Sequence, residues 1–370
     1  MKRILKLRRL WLLLLYPAAF GATLFASSHQ DAAEWYARHW YAALSRGGNA
    51  LTGLAPFSVG EMLVRLLAAA LVALLVRLTV RLVRRKDRRA EAALSFFVNL
   101  LCFAGVLYFI FTVNCGINYY RSTFAQTCGL PMQPSSTAEL TRLCKSLASD
   151  ADAQRGRVKT DSRGVMKLST PDFAQTARQA KQSFDRLGAD YPLLPPGYGA
   201  PKPVLGSRLM SRCNITGMFF PFTFEANVNT DVPAYTIPVT MCHELSHLRG
   251  FMREDEANFI GYLACEKSTS ADFQYSGTML AFTYASNALL SADEKADAGV
   301  WNGLSAGVKK DLAYNSAYWK QFEGPVAKIS DSVNNSYLKA NRQNDGIQSY
   351  GRMVDLLLAL QRKEAAAAKK

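Results

Sequence analysis

The chain has 370 residues, 49% of them hydrophobic, with 44 Lys/Arg against 29 Asp/Glu and a net charge of +15. Residues 1–91 carry +10 of that charge and the rest only +5, so the basic excess flanks apolar segments. No basic folded face with a recognised binding motif stands out, and a nucleic-acid partner is not expected.

Three apolar runs come first. The run at about 10–26 follows Lys2, Arg3, Lys6, Arg8 and Arg9 and reads as a signal anchor rather than a cleaved peptide, because more apolar runs follow. The second, 59–83, is long enough to span, with Arg77 and Arg81 able to snorkel to one interface and Arg65 to the other. The third, 92–113, carries no charge and reads as a span. Positive charge at the N-terminus and over Arg84–Arg89 puts both on the cytoplasmic side. The expectation is a membrane region over 1–120 and an extracytoplasmic domain over 121–370. The 27–58 loop is also outside, with His29 and His39 as surface residues.

Asn118-Tyr119-Tyr120-Arg121 reads as an interfacial aromatic belt. Ser136-Thr137-Ala138-Glu139 is a capping box opening a helix with Leu140, Leu143 and Leu147 on one face. Residues 150–167 read as an exposed loop. Thr170-Pro171 opens a helix whose Phe173, Ala177, Ala180, Phe184 and Leu187 form a core stripe. Five prolines over 191–203 predict an extended stretch. Residues 204–229 suggest two or three short strands with turns at Gly206 and Gly217, and Pro221 argues for an edge. Within it, 217–229 is a candidate to hold a peptide by strand addition. Helical spacing then predicts helices over 272–290, 305–322, 325–338 and 349–361. Cys102 lies in the third span as an apolar filler. Cys115, Cys128, Cys144, Cys213, Cys242 and Cys265 are even in number, and both pairing and free buried thiols are open.

The chemistry concentrates in Cys242-His243-Glu244-Leu245-Ser246-His247. Two histidines four residues apart on a helix present both imidazoles on one face, the spacing a zinc site needs. Glu244 stands beside them, placed to take a proton from a metal-activated water. Thr236 and Pro238 start this helix and Gly250 ends it. A catalytic zinc takes a third protein ligand. No histidine follows His247, so Glu254, Asp255 and Glu256 compete for the position. Glu254 and Asn258 share a helix face, so Glu254 could ligate while Asn258 supports a ligand histidine.

Glu254-x-x-Ala257-Asn258 resembles the element that carries the glutamate ligand in gluzincin-type peptidases. More widely, His243 to Asn258, Tyr275-Ser276-Gly277, Tyr318-Trp319, Tyr337-Leu338-Lys339 and the run from Asp345 to Asp355 resemble a bacterial membrane-anchored family of unknown function with an HExxH signature. The resemblance implies Glu254 as third ligand, with Glu256 as runner-up. Tyr275, Tyr350 and Arg352, polar groups in the matching segments, are candidate oxyanion donors; the alternative, favoured by the lack of any spacing that ties them to the metal, is that the tyrosines pack with hydroxyls at the surface and Arg352 pairs with Asp355 or Asp345.

The resulting expectation is a mainly α (α+β) protein. Three N-terminal transmembrane helices precede a zincin-like helical domain with a small edge sheet before the HExxH helix. Function is expected to be Zn²⁺-dependent peptide hydrolysis in the cell membrane, on an unspecified peptide or protein, with Glu244 as general base. The alternative is a zinc-stabilised binding or sensor protein of the cell envelope.

Overall fold

The computed structural model describes residues 8–368. Apolar runs have no water to satisfy their backbone and close into helices. A 3₁₀ turn, Arg8–Leu14, leads into α1 (Leu15–Ser28), and α4 (Val59–Arg84) and α5 (Arg89–Asn114) follow. Three stretches, Arg9–Ser28, Val59–Arg84 and Lys86–Asn114, are long and apolar enough to cross a membrane. The apolar window of the second has none of its residues buried in the protein, so its Val and Leu surface is left for lipid.

The segment joining the first two spans is helical rather than a loop. It contains α2 (Gln30–Tyr36), a π turn (Ala37–Tyr41) and α3 (Ala42–Thr52). Tyr41 is fully buried in the main core, and Asn49 Nδ2 donates to the Phe224 carbonyl at 2.8 Å. The extramembrane body is therefore built from both sides of the spans, and a division at residue 120 cuts through it. His29 and His39 are exposed, stacked on Phe25 and Trp35. Tyr119, read as part of an interfacial belt, is only 2% exposed; its hydroxyl contacts that of Tyr337 at 3.0 Å.

Beyond α5 come α6 (Phe124–Cys128) and α7 (Thr137–Arg155), which opens on the expected Ser136/Glu139 capping box. Residues 150–155, expected as loop, continue α7; a short hairpin, β1 (Lys159–Thr160) and β2 (Met166–Lys167), follows, with Val165 and Met166 buried rather than exposed. The amphipathic α8 (Phe173–Asp190) is capped by Asp172, two residues beyond the expected Thr170. After β3 (Lys202–Pro203), residues expected as strand form α9 (Ser207–Arg212). Only β4 (Gly217–Phe220) and β5 (Glu225–Val228) are extended. The sheet order is β3-β5-β4, with Met218 opposite Asn227, so β4 is an edge and Gly217 starts a strand instead of a turn.

Two helices form the centre: α10 (Ile237–Leu248), which carries the HExxH sequence, and α11 (Glu254–Glu266). Every α10 residue except His243 is buried. Around them lie α12 (Ala271–Ala292), α13 (Glu294–Gly303), α14 (Ala306–Lys320), α15 (Pro325–Ala340) and α16 (Met353–Ala367). Of these only α13 was unanticipated. All seven cysteines are free thiols.

The carbonyls at the C-terminal end of α10 lack helical partners. Tyr41 supplies one from about two hundred residues away, its hydroxyl lying 3.2 Å from the His247 carbonyl and 3.3 Å from that of Leu248. Arg121 Nη1 supports the next turn, 3.4 Å from the Gly250 carbonyl. Tyr41→Phe leaves the buried Leu248 carbonyl short of a donor, while that of His247 keeps the Gly250 amide at 2.8 Å, and is expected to cost ~1–3 kcal/mol, read as a lowered thermal midpoint of the full chain in lipid nanodiscs.

Candidate metal centre

Gly250 at φ +86° ends α10 with a left-handed residue, and the chain reverses through Phe251 into α11. The first backbone amide of α11, at Glu254, donates to Gln343 Oε1 at 3.0 Å. At the crossing with α10 stands Gly261, where a Cβ would sit 3.1 Å from the His243 nitrogen. The two helices approach closely enough for side chains one turn apart on each to meet.

Three donor atoms converge there. His243 Nε2 and His247 Nε2 are 3.0 Å apart, and Glu254 Oε2 lies 3.2 Å from the first and 3.5 Å from the second. The outer ring nitrogens are both engaged. His247 Nδ1 is 2.8 Å from the Phe251 carbonyl, and His243 Nδ1 is 2.8 Å from Asn258 Oδ1. A carbonyl oxygen only accepts, so each Nδ1 carries a hydrogen, and each Nε2 turns inward a lone pair that either a proton or a metal ion can take. Two lone pairs and a carboxylate oxygen facing one another at this range repel unless a proton or a metal ion lies among them. Glu254 Oε2 is buried and, beyond those two Nε2 atoms, has no hydrogen-bond partner among the described residues. In a tetrahedral site with metal–donor bonds of ~2.0–2.2 Å, donors stand ~3.3–3.6 Å apart. The observed triangle is close to that face of a tetrahedron, and the donor set fits a small divalent ion.

The electrostatics agree. Burial pulls the His247 imidazolium down, but the Glu254 carboxylate outweighs it and holds the group up at about 9. Burial pushes Glu254 up, yet the two imidazoles bring it down to about 2. A proton and a metal ion therefore compete for one position.

Glu244 does not join the triangle. Its carboxylate is packed against the edge strand, where a Cβ at Gly217 would collide with Oε1 and lie 2.8 Å from Thr240 Cγ2. The Phe219 amide hydrogen-bonds to it, burial raises its pKa, and the two histidines oppose that rise. Oε2 of Glu244 is buried without a partner among the described residues. The Phe219 ring stands 6.5 Å from that of His247, so β4 runs directly past the site.

The sequence candidates divide clearly. Glu256 turns away, its Oε1 accepting from the Phe124 amide at 2.7 Å, and burial with Asp255 beside it pushes its pKa up to about 7. Asn258 supports His243 as expected, and its amide also hydrogen-bonds the Tyr284 hydroxyl. Tyr275 is not brought to the centre: it is fully buried and its hydroxyl donates to Asp311 at 2.7 Å. Nor is Arg352, which pairs with Asp345 at 3.0 Å and lines a surface cavity of about 700 Å³ with Tyr284 and Asp355. The side chain of Tyr350 lies outside the described residues. Sequence reasoning missed Gln343, 1% exposed, and the Tyr119–Tyr337 hydroxyl pair, on both of which the charge of Glu254 acts. Nothing in their spacing marks them, because they come from segments far apart in the chain.

A family model matches residues 36–358, nearly the whole body together with the second and third spans; the family is described as "Protein of unknown function (DUF3810)". The chain belongs to this family. No curated protein and no solved structure matches it. The matched region contains all three converging ligands, so the centre is part of what the family model covers.

Glu254→Gln is expected to lose bound metal while Glu256→Gln retains it, measured as metal per chain by mass spectrometry of the purified full-length protein. Because His247 holds its proton up to about 9, metal affinity rises with pH below that value and levels above it. A competition titration between about pH 6 and about pH 8 should show roughly a tenfold gain per unit for each proton displaced. A flat profile would exclude His247 as a ligand.

Proposed function

We propose that this chain is a membrane-anchored zinc-dependent metallopeptidase of the cell membrane, with its domain outside the cytoplasm. The observation that carries the reading is the inward-facing pair of Nε2 lone pairs closed by Glu254, with the buried Glu244 carboxylate beside them. A structural site needs the first three groups but has no use for the fourth.

Zinc held by His243, His247 and Glu254 would supply a Lewis acid and an acidified water. Glu244 is the proton carrier. Its raised pKa suits a group that accepts a proton at Oε2 and hands it to the leaving amine. Asn258 and the Phe251 carbonyl hold the two imidazoles in the tautomer that leaves Nε2 available. The outer edge of β4 has no strand beside it among the described residues. An extended peptide added there would lie alongside Phe219 and within reach of Glu244. The basic N-terminus and the Arg84–Arg89 turn favour the cytoplasmic side, which leaves the body on the other.

Glu244→Gln keeps the shape of the side chain and removes its basicity. The variant is expected to hold a full complement of zinc and to lose hydrolysis of a fluorogenic peptide library by at least about a hundredfold. Zinc-dependent hydrolysis at the wild-type rate in that variant would overturn the assignment of Glu244.

A further inference from the structure

Helix α15 is built inside out. Val326, Ile329 and Val333 are 55%, 65% and 64% exposed, and Tyr337 continues the same stripe at 37%. At 3.6 residues per turn the four fall within an arc of ~80°. Apart from Ala327, the half-buried positions that face the body are polar, Ser330, Asp331, Asn334 and Asn335, and Leu338 is the one fully buried residue of the helix. Water is a poor partner for such a stripe, and an apolar surface of this kind marks a contact.

What covers it is indicated by where the helix is moored. At its C-terminal end, the Tyr337 ring lies 6.0 Å from that of Phe111, near the end of the third candidate span. The Tyr337 hydroxyl meets Tyr119 at 3.0 Å and Cys115 Sγ at 3.8 Å, just past that span. Tyr337 belongs to the exposed stripe, so the stripe and the span lie on the same side of the helix. Towards the other end, Asp331 accepts from Asn214 at 3.1 Å. Just before the helix, Gln321 accepts from Arg208 of α9 at 3.1 Å. The chain leading into α9 is fastened to the start of the second span: the amides of Leu205 and Gly206 donate to Glu61 at 2.8 and 2.9 Å.

Helix α15 is thus tied at one end to the last turns of one span and, through α9, to the first turn of another. Leu205, 70% exposed, is a further exposed apolar side chain at that second mooring. The segment joining the first two spans exposes Trp35 and Trp40, residues that favour the membrane–water boundary. Lys328 and Lys339 are exposed away from the stripe, about 120–140° round the helix from its centre.

We infer that α15 is an interfacial helix whose Val326, Ile329 and Val333 face is buried in the membrane leaflet beside the spans, with Tyr337 at its end turned into the protein. Its occupant is lipid, which already surrounds the adjoining spans. Helices with this distribution lie in the bilayer plane.

The test uses the full chain in nanodiscs of phosphatidylcholine with phosphatidylglycerol. A photoreactive benzoylphenylalanine is placed in turn at Ile329, at Val333 and at Trp301, an exposed apolar residue of α13. Positions buried at the headgroup and acyl boundary are expected to give about tenfold more phospholipid adduct than Trp301. Adduct at Ile329 and Val333 no greater than at Trp301 would overturn the inference. So would a protein–protein adduct at Ile329 in place of lipid, which would mean that a second copy covers the stripe.

Discussion

The centre depends on how closely two helices can approach. With Gly261 against the His243 backbone, 3.1 Å from nitrogen and 3.4 Å from Cα to any added Cβ, α11 lies against α10 with almost no room for a side chain between them. That contact lets Glu254 and Asn258, one turn apart on α11, reach the imidazoles of α10. One contributes a negative oxygen and the other fixes a tautomer. The arrangement concentrates unpaired acceptors in a buried place, which is unfavourable by itself and becomes favourable when a cation fills it. The same logic explains why Glu254 and His247 are driven in opposite directions, one below and one above its ordinary pKa.

The candidate spans and the candidate metal centre are parts of one construction. Glu225 of β5 has a fully buried side chain, yet it receives the Val59 amide at 3.0 Å and the Gly60 amide at 2.6 Å from the first turn of α4. It also receives Lys202 and Thr223, each at 2.6 Å. A carboxylate at a helix N-terminus is favoured by the dipole and by the open amides there. Here it fastens the second span to the central strand of the sheet that carries the edge β4. From the third span, Asn114 Nδ2 donates to the Pro221 carbonyl at 2.8 Å, just past β4. Tyr41 and Arg121, one before the second span and one after the third, together hold the C-terminal end of α10. The site is supported from the membrane side by groups in separate stretches of sequence.

Local patterns were legible wherever one segment carried its own reason. The three spans, the Ser136/Glu139 cap, the α10 boundaries and the helical run after Ala271 all follow from period, capping residues and apolar length. The failures have a common cause. Residues 30–52 read as a loop because their amphipathic face pairs with distant segments. Residues 207–212 read as strand because the apolar run is too short for its period to be decided. Tyr275 was expected to keep its hydroxyl at the surface, but Asp311, reached only in the folded chain, engages it; the pairing of Arg352 with Asp345 was among the alternatives its nearby acids offered.

By itself the sequence determined the span positions, the facing histidines and the adjacent Glu244, because these rest on spacing within one helix or on apolar length. Tertiary structure decided that Glu254 and not Glu256 completes the triangle. Both stand in the first turn of α11, and only the crossing angle and the close approach at Gly261 decide which one points inward. It also decided the tautomers, through the Phe251 carbonyl and Asn258, and the outward face of α15. That helix has an ordinary amphipathic pattern, and only its moorings to two spans show which of its faces meets the protein.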